Sequence, residues 1–127
     1  MEKKIIVAIK EPDKDLEVKE IENTLENFQS AVGGLIESIY LNENLDKQNV
    51  SAFGNDEAKI LLQEPNFWIY DKQDCICGSV VFVKGDDEGG CISLTEEDIE
   101  AIKVFLQENE MNEYDKVVVR KAIKEMF

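Results

Sequence analysis

The chain has 127 residues, 43% apolar and 33% charged, with 28 acids, 14 bases and no histidine. Its net charge of −14 disfavours direct contact with nucleic acid or an anionic membrane face, since those contacts depend on Lys and Arg neutralising phosphate. The length fits a single domain, 1–127, able to bury a core without disulfides or metal, and the charge favours partners of positive sign.

The opening MEKKIIVAIKEPDKD has a basic tip, but its apolar run, Ile5 to Ile9, is too short for a signal-peptide core. No stretch approaches the roughly 20 apolar residues of a membrane span, so the expected location is the cytoplasm. Lys4–Lys10 reads as a first strand, ended by Pro12 and Asp13. Leu16, Val18 and Ile21 come close to alternating with charges and predict a half-buried strand over 16–20. Thr24 offers a capping hydroxyl to a helix whose apolar stripe is Leu25, Phe28 and Val32, with Ala31 beside it. Gly33 falls where the stripe stops, at the position that closes helix carbonyls in the left-handed conformation. Leu35, Ile36, Ile39 and Leu41 then read as a strand.

Residues 48–54 and 59–62 resemble two short strands joined by the polar turn Asn55-Asp56-Glu57. Glu64-Pro65-Asn66 breaks the pattern. Phe67, Trp68, Ile69 and Tyr70 form an aromatic patch expected to cover one end of the core. Residues 75–84, CICGSVVFVK, read as the strongest strand. Ile76, Val80 and Phe82 share one face and Val81 and Val83 the other, as in a central strand covered on both sides. Gly78 within it marks a bulge or a close backbone approach. After the loop GDDEGG, Thr95 and Asp98 form a capping-box pattern that opens a helix buried through Ile99, Ile102 and Leu106, with Phe105 alongside. Glu113–Met126 reads as a final helix facing inward through Val118, Ala122 and Met126, with Val119 and Ile123 beside them. The fold expected is α+β: a small twisted, mostly antiparallel sheet with two or three packed helices.

Chemistry is harder to find. The phosphate-binding, dinucleotide, serine-hydrolase and zinc-protease motifs are all absent, and the lack of histidine removes the commonest general base. Cys75, Cys77 and Cys91 are an odd count that gives no disulfide framework. Cys75 and Cys77 would share a strand face, but a structural zinc site wants four ligands. These thiols are expected in or near the core, with no cofactor and no metal. The reading is therefore not an enzyme.

The acids are more informative. Residues 86–100 hold seven acids and no base, and residues 108–115 hold four more with no base. Asp86, Asp87, Glu88, Glu96, Glu97 and Glu100 are the candidate partner-binding residues, forming a surface that imitates the phosphate rows of nucleic acid or docks on a basic groove. Lys116, Arg120, Lys121 and Lys124 make the end of the chain basic, and a tail folded back would neutralise part of this surface.

Four stretches resemble one family, the domain of unknown function number 3846: Val32-Gly33-Gly34-Leu35-Ile36-Glu37, Pro65-Asn66, Gly78 through Val83, and Asp86-Asp87-Glu88-Gly89 followed by Ser93-Leu94-Thr95-Glu96-Glu97-Asp98-Ile99. The resemblance covers about 4–106 and departs at Ala58 and in the extension 107–127. It implies an origin in phage, plasmid or other mobile-element genomes and brings no catalytic residue. Both glycines at 33–34 belong to it, and the second leaves room for a backbone to pass close or for a small ligand to reach the helix end. The leading expectation is a non-enzymatic accessory protein of the counter-defence kind, binding a host protein with a basic surface. The alternatives are a small-molecule, nucleotide-type binding module with a site at Gly33, Gly34, Asn55 and Asn66, and a structural homodimer joined through residues 67–70.

Overall fold

The computed structural model describes residues 3–127. Strand β1 (Lys4–Lys10) pairs antiparallel with β2 (Glu17–Glu22), Ile5 opposite Ile21 and Ala8 opposite Val18. Helix α1 (Leu25–Val32) is capped by Thr24, whose hydroxyl accepts from the Asn27 amide, and is closed by Gly33 at φ 77°. There follow β3 (Ile36–Ile39), the one-turn helix α2 (Glu43–Lys47), β4 (Val50–Asn55), β5 (Pro65–Ile69), β6 (Asp74–Cys77), β7 (Val80–Gly85), β8 (Cys91–Ile92), α3 (Glu96–Glu108) and α4 (Glu113–Met126).

The main sheet runs β2-β1-β7-β4-β3, all antiparallel, with β8 beside the end of β7, and β5 and β6 form a separate hairpin. This is the α+β architecture the pattern implies. Strand β7 lies at the centre of the sheet, and its alternation feeds two cores. Val80 and Phe82 join Ala8, Ala52, the hairpin's Phe67 and Ile76, and Ile102 and Phe105 of α3. Val81 and Val83 join Ile5, Val7 and α1's Phe28 and Val32 on the opposite face. Each large side chain so buried contributes about 1.5–3 kcal/mol. A third cluster packs α4, through Val119 and Ile123, on Cys75 and Cys77 of the hairpin. Among the described residues no helix is long and apolar enough to cross a membrane.

Several expected elements are redrawn. Residues 75–84 are two strands in two different sheets. The chain turns at Gly78, at φ 77°, where the Glu64 carbonyl takes its amide proton and the Asn66 side chain donates to its carbonyl, both at 2.8 Å. Alternation carries on across the break, which is why the two faces read correctly. Residues 59–62 are not a strand. The Asn55 side chain accepts from the Glu57 amide at 2.8 Å, and successive turns follow until the Gln63 amide returns to the Ala58 carbonyl. Ile60, Leu61 and Leu62 therefore stay exposed. The second strand begins at Glu17 instead of Leu16 and extends to Glu22. Helix α4 faces inward through Val119 and Ile123, while Val118 and Met126 are exposed. Phe67 and Ile69 are core residues, as the aromatic patch suggested, whereas Tyr70 is exposed. Of residues 67–70, Tyr70 and the half-buried Trp68 are the ones that reach the surface.

Candidate functional site

The acid tract occupies the end of the sheet where β7 leaves it. Its first part is the β7–β8 loop. The Asp86 carboxylate accepts from the amides of Glu88 and Gly90, each at 2.8 Å, and the Asp86 amide donates to the Gly90 carbonyl at 2.9 Å. Asp86 thus organises the loop, while Asp87 and Glu88 are exposed and their side chains make no hydrogen bond or ion pair among the described residues. The second part is the first turn of α3. Thr95 accepts from the Asp98 amide at 3.1 Å and Asp98 accepts from the Thr95 amide at 2.8 Å, which completes the capping box. Glu96, Glu97 and Glu100 are exposed, and Glu100 meets Lys103 at 3.5 Å.

Asp98, the seventh acid, is fully buried at 1% exposure. Lys84, the penultimate residue of β7, donates to both its oxygens at 3.1 and 3.0 Å, and Gln48 donates to one at 2.8 Å. Burial pushes this carboxyl up, but the Thr95 amide, Lys84 and Gln48 outweigh it and hold the group below the ordinary value of 3.8. The pair fixes the geometry of the acidic end. The loop starts two residues after Lys84, and Glu96 and Glu97 directly precede Asp98, so one buried ion pair ties both halves of the tract to the same end of the sheet. Neither Lys84 nor Gln48 stood out in the sequence. A lysine ending an apolar strand, followed by a capping aspartate, was the signal for the first, and the second had none.

The basic end of the chain does not neutralise this surface. Lys116 pairs with Asp13 and with Glu113, and Arg120 pairs with Glu64 at 2.6 Å. Among the described residues Lys121 and Lys124 form no ion pair. The folded-back tail therefore answers other acids, on the β1–β2 turn and beside the hairpin.

The structure does bring Gly33, Gly34 and Asn55 together. Asn55 is 4% exposed, and its amide nitrogen donates to the Val32 carbonyl at 3.2 Å, adding to the closure of α1. A Cβ on Gly34 would lie 2.9 Å from that nitrogen. The second glycine thus admits a buried side chain that serves the helix end, where the sequence suggested a passing backbone or a ligand. Asn66 belongs elsewhere: it bridges the Lys10 carbonyl, at 2.9 Å, and the Gly78 carbonyl, at 2.8 Å.

The three thiols do not converge either, with Cys75 and Cys77 packed beneath α4 and Cys91 against the opposite core. The Cys77 thiol lowers the Cys75 pKa by hydrogen bonding to it, and its own pKa is raised in return. Among the clefts in the surface, two carry charged linings of interest. One of about 400 Å³ runs past Glu37, Lys59 and Cys75. The other, of about 700 Å³, lies between the β1–β2 turn, β5 and the junction of α3 with α4.

A family model described as a domain of unknown function (DUF3846) matches residues 3–107. The chain belongs to that family, with α4 beyond the matched region. Searches of curated proteins and of solved structures gave no match.

Proposed function

We propose that this member of the family acts without catalysis, as an accessory protein of mobile-element origin and counter-defence type. It would dock the acidic end of its sheet on a basic surface of a host protein. The observation that carries this reading is the division of the seven acids in 86–100. The one that is buried is matched internally by Lys84, and of the six that are exposed only Glu100 has a cation beside it among the described residues.

The surface is organised in advance. The loop is held by Asp86 and the helix start by its capping box, so little conformational entropy is lost when a partner binds. Glu96 and Glu100, one helical turn apart, repel by a few tenths of a kcal/mol, a cost that a cationic partner reverses. Encounter would be steered by charge and would weaken steeply with salt, since the screening length is about 8 Å at physiological ionic strength.

The test is affinity capture from host lysate at low and high salt, using the natural chain and a variant with Asp86, Asp87, Glu88, Glu96, Glu97 and Glu100 changed to Asn or Gln. A specific basic protein retained at low salt, released at high salt and absent with the variant supports the reading. A partner retained equally by both chains at both salt concentrations refutes it.

A further inference from the structure

The cleft of about 700 Å³ between the β1–β2 turn, β5 and the α3–α4 junction has charges left over once its internal pairs are counted. Lys116 is held by Asp13 and Glu113, Lys14 by Glu11 at 3.1 Å and Lys103 by Glu100 at 3.5 Å. Lys10, Asp15 and Glu110 remain, and among the described residues none of the three has an ion pair. Lys10 is half-buried, and its ammonium donates to the Glu11 carbonyl at 2.8 Å.

Asn66 on the same wall is 5% exposed. Its amide nitrogen is used twice by carbonyls, and its Oδ1 lies beneath the surface with no donor among the described residues. Leu16 and Leu106 add apolar surface. One cation and two carboxylates that feel one another without a direct ion pair, beside an apolar wall, fit a small molecule that carries both signs of charge.

We infer that this cleft binds a small zwitterion of the free amino-acid type with an apolar side chain. The carboxylate would sit on Lys10, the ammonium would face Asp15 and Glu110, and the side chain would lie along Leu16 and Leu106. A phosphate ester fits less well, because two unmatched carboxylates lie near the single free lysine and repel a dianion. Burial, and after it the nearby Lys116, lowers the Lys10 pKa against the opposing pull of Asp13, Asp15 and Glu110, and a bound carboxylate would offset that burial. None of these groups is among the six acids of the proposed docking end, so either reading can fail without the other.

The experiment uses the full chain in calorimetric titration against leucine, methionine and phenylalanine, with N-acetyl-leucine, leucinamide and adenosine monophosphate for comparison. Apolar amino acids should bind saturably. Removing either charge from leucine should weaken binding by about 10-fold, the scale of one charge-assisted hydrogen bond. Lys10→Met should make leucine and leucinamide bind alike, a loss of discrimination that a merely destabilised protein would not show. Should that variant misfold, the Asn66 side-chain amide signals of the natural chain supply the second readout, and they should shift on saturation with leucine. No binding by any amino acid, tighter binding of the nucleotide than of leucine, or shifts confined to residues outside the cleft would each overturn the inference.

Discussion

Removing the Asp98 carboxylate tests the joint that holds the acidic end together. In Asp98→Ala the Lys84 ammonium, the Gln48 amide and the Thr95 amide all lose the oxygen they donate to. Truncating one partner of a buried pair costs about 3–5 kcal/mol. Here the low end applies, because the Lys84 side chain is 21% exposed and can turn towards water. Loss of the capping box adds about 0.5–1 kcal/mol, for a total of about 3–4 kcal/mol. Lys84→Met leaves Asp98 with two neutral donors and should cost about 2 kcal/mol. The double variant strands no charge and should lose only about 2–3 kcal/mol, so the coupling between the sites is about 2–4 kcal/mol. Urea unfolding followed by circular dichroism, with an unchanged m-value, measures all four corners of the cycle. Additivity within about 0.5 kcal/mol would show that the pair does not act as a unit, and the account of the acidic end would lose its anchor.

Gly33 and Gly78 both sit at φ 77°, but a Cβ meets nothing within 4 Å at Gly33 and lies 2.0 Å from Gln63 Oε1 at Gly78. Gly33→Ala should therefore cost about 1 kcal/mol for the left-handed backbone alone and Gly78→Ala about 2–3 kcal/mol, and equal losses on denaturation would contradict this. Acid should expose an unfolding limb. The folded-state pKa of Asp98 lies below 3.8 through its donors, and that of Asp13 through its hydrogen bond from Lys116. The stability from both is complete above the unfolded value and lost as pH falls through the folded ones. Lys116 runs the other way: its pKa is raised above 10.5 by Asp13, and its share disappears only as pH rises past that folded value. Stability measured across pH should thus be held from above 3.8 to below 10.5 as far as these groups decide it, and Asp98→Ala should show a weaker acid limb. Asp87→Asn with Glu88→Gln should leave thermal stability within about 0.5 kcal/mol of the parent while weakening partner capture at low salt.

Local rules made much of this fold legible. The Thr24 and Thr95 caps, the Gly33 closure and the two-faced alternation of β7 each depend on neighbouring residues, and each appears where the sequence put it. Pattern and structure part where a distant group decides. Gly78 reads as a bulge because Glu64 and Asn66, which bond it, and Gln63, which lies against it, are 12 to 15 residues earlier and only the folded chain brings them to it. Residues 59–62 looked like a strand because apolar composition was the only local signal, and the Asx turn at Asn55 overrode it. Helix α2 is a single turn, too short for periodicity to register, and only Asn42 capping the Leu45 amide marks it. The acid tract was legible as composition, but its organiser was not, since Gln48 reaches Asp98 from 50 residues away.

The six exposed acids do not all call for a partner. Glu96 and Glu97 suit the positive end of α3 and stabilise it by about 0.3–1 kcal/mol each. Asp86 builds its own loop, and Glu100 has Lys103. Helix and loop chemistry would select these four in a protein with no partner at all. Asp87 and Glu88 have no such account: they extend a run of like charge, at a position where Ser or Asn would serve the turn equally well. In a chain already at −14, each further acid adds to the self-repulsion that opposes compaction. The docking hypothesis therefore rests less on the size of the tract than on this loop tip, where negative charge is retained without any structural return.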